Sequence, residues 1–147
     1  MSDHLHERPL TLDDYDAILD LWRRSGLTSI RPEGRDSRPA FARQFASGVQ
    51  HIIGLEDGDR LLATIVATHD GRKGWLNRLV VDESHRRQGL ARRLIIAAEQ
   101  WLAAQGVDVW AVLIEDDNDP SLQLFQSAGY ILARDILYLS KRPSSSS

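Results

Sequence analysis

An α/β fold of the α+β kind, built on one mixed and mostly antiparallel sheet, is what this 147-residue sequence predicts. Three observations predict it. Apolar residues recur at helical spacing up to residue 48, and short apolar runs separated by turn signals take over from Val49. A strand then runs straight into a long helix and a further apolar run, which implies a single parallel crossover. The surface-scaling rule buries about 68% of the unfolded surface at this size, enough for one core and too little for two.

A short strand over 5–8 is weakly signalled. Thr11 is a good N-cap, with Asp13 and Asp14 in the first turn behind it; Tyr15, Ile18, Leu19 and Trp22 mark one helical face, and Gly26 ends it. A shorter helix follows Ser37, with Pro39 early, Phe41, Ala42, Phe45 and Ala46 inward, and Gly48 at its close. Strands are expected over 49–55 and 61–68, joined by the hairpin signal Glu56-Asp57-Gly58-Asp59. His69-Asp70-Gly71-Arg72-Lys73-Gly74 turns the chain into a strand over 75–81. A helix over 90–105 carries Leu90, Leu94, Ile95, Ala98, Trp101 and Leu102 on one side, with Gly106 as its terminal glycine. The continuous apolar run 109–114 reads as a buried strand. Asn118 or Asp119 caps a short helix from Pro120 to near Gly129, and two closing strands follow over 130–133 and 136–140. The order is β-α-α-β-β-β-α-β-α-β-β.

Composition narrows the function. Lys+Arg 18 against Asp+Glu 21 leaves a net charge of -3, so no basic surplus supports a nucleic-acid partner. The absence of cysteine removes disulfides, thiolate zinc sites and a cysteine nucleophile together. Residues 1–10 lack the apolar run of a signal peptide, and no stretch approaches the ~18 apolar residues of a membrane span. A cytoplasmic protein is expected, with residues 1–142 as one domain and the Ser-rich tail 143–147 frayed. The five histidines are scattered, so no metal site is expected.

The informative segment runs from Val80 to Leu94. An apolar strand enters a short polar loop that opens directly into a helix, with Gly89 and Ala91 in its first turn. The first amides of a helix lack intrahelical acceptors and carry the positive end of its dipole. Small residues there let a phosphate approach the main chain, and neighbouring arginines add charge-assisted bonds. The competing interpretation is a solvated helix start, with Arg86, Arg87, Arg92 and Arg93 in water and Gly89 a simple turn. Walker and Rossmann loops are absent, since there is no Gly-Lys-Ser/Thr and only one glycine lies in the loop.

The pattern Arg86-x-x-Gly89-x-Ala91, preceded by Leu79-Val80-Val81, resembles the acetyl-CoA signature of the GNAT N-acetyltransferases. Asn118 through Leu124, Phe125, Gly129 and Tyr130 resembles that family's downstream stretch, and the likeness spans about residues 5–142. The segments His69 to Trp75 and Leu21-Trp22…Leu27 are similar to small bacterial single-domain members of the YpeA type. The resemblance implies the GNAT fold with its central strands splayed. It implies acetyl-CoA as co-substrate, with its pyrophosphate on the amides of Arg86, Arg87, Gln88, Gly89, Leu90, Ala91 and Arg92. Main-chain groups at Leu79 and Val81 would pair with the pantetheine amides. An amide near Val80 or Val81 would face the thioester carbonyl as backbone oxyanion donor. Asn118 would hold the pantetheine arm, and Phe125 would lie against the cofactor.

An ammonium acceptor must lose a proton before it attacks, and the thiolate must leave. The family's acid is a tyrosine where this chain has Phe125, and its glutamate base is matched here only by Asn77 and Arg78. Asp116, in the acidic run Glu115-Asp116-Asp117, is the candidate for relaying a proton through water; the competing and stronger interpretation is a solvated loop capping the next helix. Trp22, Arg31, Arg35 and His69 are the candidates for acceptor recognition. The expected function is acetyl-CoA-dependent N-acetyl transfer to a primary amine of a small molecule, peptide or protein, in a homodimer, as many relatives form. The alternatives are a CoA-binding regulatory domain with little turnover, for which Phe125 speaks, and a modifier directed at protein lysines or N-termini.

Overall fold

The computed structural model describes residues 4–145 and 147. Local signals set the first two helices. The Thr11 side chain accepts from the Asp13 amide, while the Asp14 carboxylate accepts from the Thr11 amide, a reciprocal cap on one 3-10 turn. Helix α1 (Tyr15–Arg24) follows, burying Ile18, Leu19, Leu21 and Trp22. Ser37 caps helix α2 (Arg38–Ala46) by accepting from the Ala40 amide at 3.2 Å, and Phe41 is its buried anchor.

Five strands form one sheet in chain order: β1 (His6–Pro9), β2 (Gln50–Asp57), β3 (Arg60–His69), β4 (Gly74–Val81) and β5 (Trp110–Val112). The first four are antiparallel neighbours. Helix α3 (Leu90–Ala104) carries the chain across to β5, which pairs parallel with β4. Helix α4 (Asp119–Ser127) comes last.

Strand alternation divides the core between the two faces of the sheet. Ile53, Leu55, Ile65 and Leu76 face α3, packing with Leu94, Ile95, Leu102 and, from α4, Phe125. Ile52, Val66 and Val80 face the other way, against Ile18 and Trp22 of α1 and Phe41 of α2. Gly74 marks how closely α3 lies: a Cβ there would sit 2.8 Å from the Leu102 side chain.

Two irregularities shape the functional end. Thr64 pairs with Val80, whereas Val66 pairs with Asn77, so β4 carries an extra residue between these rungs. Arg78 occupies that bulge with φ +50°, a left-handed conformation that costs a non-glycine residue roughly 1–2 kcal/mol. In addition, β4 and β5 pair only over Gly74–Leu76 and Trp110–Val112. Among the described residues the rest of β4 has no strand on that side.

The fold class matches the sequence reading; its closing strands do not. The segments 130–133 and 136–140 join no ladder among the described residues, and Ile131, Leu137 and Leu139 are 93%, 83% and 85% exposed. Their apolar pattern is a local signal, whereas a strand also needs a partner edge, and β5 offers only three residues of one. The run 109–114 is correspondingly shorter and wetter than a buried strand, with Val109 and Leu113 exposed. The hairpin after β2 is also tighter than expected, since the strands reach Asp57 and Arg60 and leave two residues in the loop.

Candidate functional site

Because β4 and β5 run parallel, their C-terminal ends lie at one end of the sheet, together with the starts of α3 and α4. In open α/β sheets this is where ligands bind. The chain leaves β4 at Asp82, makes one 3-10 turn over Glu83–His85 and enters α3. Arg87 (φ +66°) and Gly89 (φ +77°) both adopt left-handed backbone within three residues. Left-handed residues of this kind are a component of the backbone nests that bind anions.

Among the described residues no acceptor meets the amides of Arg87 through Arg92; the first α3 amide to find one is Arg93, which donates to Gly89 C=O at 3.1 Å. Gly89 is the N-cap, with no capping side chain, and a Cβ built on it meets nothing within 4 Å. The corner is open to solvent. Around it, Arg86 Nε donates to Val81 C=O at 3.3 Å, and Arg92 donates to the Ser127 hydroxyl, which ties α3 to α4. Arg93 pairs instead with Glu7.

The strand leading into this loop is held from the opposite side. Asp82 N–H donates to Leu62 C=O at 2.7 Å. Antiparallel alternation then turns the Val81 amide and carbonyl the other way, toward the side where β5 has ended. Asp82 itself is buried. Desolvation works to raise its pKa, but the Ser84 hydrogen bond and the Arg60 and Arg24 guanidiniums outweigh it and hold the carboxyl below its ordinary value.

On the α1–α2 face, beside the β4 bulge, lies a groove of about 320 Å³. Its floor is strand β2 to β4, its wall is Trp22, Phe41 and the loop 28–37, and Tyr138 and Arg142 close it. Trp22 Nε1 donates to the buried Thr64 hydroxyl at 3.0 Å, and the Arg78 guanidinium stacks 4.7 Å over the Trp22 ring. Arg78 also pairs with the buried Asp36 carboxylate at 3.2 Å and donates to Ser29 C=O. Its other terminal nitrogen, Nη1, is buried without a partner among the described residues.

The sequence-predicted residues divide accordingly. Leu79, Val80, Val81, the loop 86–89 and the start of α3 at Leu90, Ala91 and Arg92 gather at one corner, where Asn118 also lies topologically. The Asn118 side-chain oxygen is used as the cap of α4, accepting from the Ser121 amide. Phe125 is 3% exposed, with its ring edge-on to Tyr130. Tyr130 donates to the Glu99 carboxylate at 2.7 Å, and burial followed by that bond pushes its pKa up. Asp116 is exposed on the loop after β5.

Of the acceptor candidates, Trp22 and Arg35 line the groove. Arg31 turns its guanidinium onto its own loop, donating to Thr28 and Ile30 carbonyls. Alternation puts His69 on the opposite sheet face from Thr68, beside Trp101 of α3. Sequence reasoning missed Arg78, Asp36 and Thr64. The usable signal was Asn77-Arg78, two polar residues in succession that break strand alternation and so mark a bulge.

The chain matches the acetyltransferase (GNAT) family over residues 15–130. An aminoglycoside acetyltransferase from an uncultured soil metagenomic sample, in complex with sisomicin, superposes with TM-score 0.79 at 13% identity, covering 97% of this chain and 98% of that one. A predicted acetyltransferase with acetyl-CoA, from Clostridium acetobutylicum, gives TM-score 0.78 at 13% identity over 92% and 96% of the two chains. AAC(6')-Iy in complex with a bisubstrate analog gives 0.77 at 17% identity over 95% and 99%. Identities this low establish a shared fold. Among the described residues no group of three His, Asp or Glu stands together as metal ligands, and no helix is long and apolar enough to cross a membrane.

Proposed function

The chain belongs to the GNAT acetyltransferase family, and from that premise we propose that it is an acetyl-CoA-dependent N-acetyltransferase acting on a primary amine. Acetyl-CoA supplies the activated acyl thioester. The row of unpaired amides from Arg87 to Arg92 is the observation that carries this reading, because it fits a linked pair of phosphates. Arg86 and Arg92 stand beside it to neutralise charge. The Leu79 and Val81 main chain offers the pantetheine a strand edge where β5 is missing, and the Val81 amide is the donor for a developing oxyanion. The amide nitrogen of Asn118 remains for the pantetheine arm, since only its oxygen is used in capping α4. Phe125 backs that arm from the core.

Asp116 is our candidate for passing the acceptor's proton to water. We further propose a cytoplasmic homodimer of chains whose residues 1–142 form the catalytic unit; exposed Ile131, Ile136, Leu137 and Leu139 supply the surface that a second copy would cover.

Calorimetry with acetyl-CoA tests the reading. Binding is expected in the micromolar range and about tenfold or more weaker in Gly89→Glu, which puts a strained backbone and a like charge at the phosphate seat. Wild-type binding that is absent, or unaltered by this substitution, rejects the seat. A second reading, CoA binding with little turnover, is favoured by Phe125, which has no hydroxyl to protonate a leaving thiolate. Thiol release above hydrolysis with any amine decides for the enzyme.

A further inference from the structure

The groove on the α1–α2 face has an unbalanced charge. Arg35, Arg78 and Arg142 line it, and among the described residues Asp36 is its only acidic side chain. That carboxylate is already engaged, by Arg78 at 3.2 Å and by the Arg31 amide at 2.7 Å. Burial, then repulsion from Arg78, holds Arg35 below the ordinary arginine pKa, with Arg142 and Arg31 adding to the effect and only Asp36 opposing it.

Two of the donors converge. Arg35 Nη1 and Arg142 Nη1 each lie 3.1 Å from the same oxygen, the Ser147 carbonyl. Arg78 Nη1 is buried with no acceptor among the described residues. Leaving such a donor unpaired is costly, and a guanidinium prefers a carboxylate in its fork. The bulge that holds Arg78 in a left-handed backbone is the strain expected of a residue kept for a ligand.

From these observations we infer that the groove seats a carboxylate, so that the acceptor is a small amine of amino-acid type rather than a polycation. The groove's volume, about 320 Å³, suits a ligand of that size. The inference rests on the acetyl-transfer reading for the amine's fate, but the seat itself is a statement about binding. A polyamine would meet three guanidiniums here and no free acid.

The test uses the full chain and two readouts. In the first, CoA thiol release is followed with the twenty L-amino acids, their carboxamides and spermidine. At least one free acid is expected to exceed its own amide by about tenfold or more in kcat/KM, because the site is built around the charge that the amide lacks. In the second, calorimetry measures binding of the corresponding N-acetyl amino acids with CoA present, which needs no turnover. Arg78→Gln is expected to reduce both preferences to within about twofold. Arg35→Ala, which leaves the Asp36 pair intact, is expected to weaken carboxylate binding in the same direction. An unchanged CoA affinity shows that each variant is folded. Equal use of acids and amides, or a preference for spermidine, overturns the inference and leaves acetyl transfer standing. Carboxylate binding that depends on Arg78, without any thiol release, upholds the seat and defeats the enzyme instead. No carboxylate binding in either readout overturns it.

Discussion

At the scale of single residues, Thr64 joins the two structures that form the groove. Its hydroxyl accepts from Trp22 Nε1 on α1 and lies 3.4 Å from the Arg78 carbonyl in the bulge. The residue is fully buried. Replacing it with valine keeps the volume but leaves the indole N–H and the bulge carbonyl without that partner. The expected loss is about 1–3 kcal/mol, seen as a lower urea midpoint with the slope unchanged. An unaltered midpoint would mean that water takes over both bonds. None of this was visible in the sequence, where Thr64 is one β-former among apolar neighbours. Phe125 shows the opposite case: its identity was readable, but whether its ring was buried or facing a ligand depended on α4 packing beside α3.

At the scale of elements, β2 and α3 are joined by an aromatic stack. His51 lies parallel to Trp101 at 4.7 Å, and burial lowers its pKa from the ordinary 6.5. The other titratable ring beside Trp101 is His69, tilted at 5.7 Å. A histidine with a depressed folded pKa contributes its full share of stability above the unfolded value. That share falls away as pH drops below 6.5 toward the lower folded value. Thermal stability should therefore decline across that interval, and His51→Phe should flatten the decline. If the variant and the wild type lose stability in parallel, the stack is not responsible.

The helices were legible because their ends are written locally. Thr11, Ser37 and Asn118 cap where the spacing indicated, and Gly89, whose φ is +77°, opens α3. The corner of unpaired amides at the start of α3 was legible for the same reason, as strand, loop and helix start are consecutive. The closing strands and the groove were not. Both depend on contacts far apart in sequence: Arg78 with Asp36 is separated by 42 positions, and Trp22 with Thr64 by the same number.

For the whole molecule, the exposed tail carries the main prediction. Four apolar side chains, Ile131, Ile136, Leu137 and Leu139, are left in water although β5 has a free edge. If a second copy covers them, sedimentation should give the mass of a dimer, and Leu137→Glu with Leu139→Glu should give the mass of a monomer. A wild-type monomer at micromolar concentration would refute the homodimer.

The two sides of the sheet also have separate duties. The amide row hangs on α3 and the end of β4, while the arginine-lined groove lies on the α1–α2 face, between the loop 28–37, the bulge of β4 and the tail residues Tyr138 and Arg142. If the proposed acceptor and donor sites are right, substitutions in residues 28–37 should alter which amine is used while leaving CoA affinity unchanged, which calorimetry checks. The loop depends on the kink in β4 in turn, since the kink holds Arg78 where its guanidinium meets Asp36 and Ser29 of the loop, so the two would have to be transplanted together.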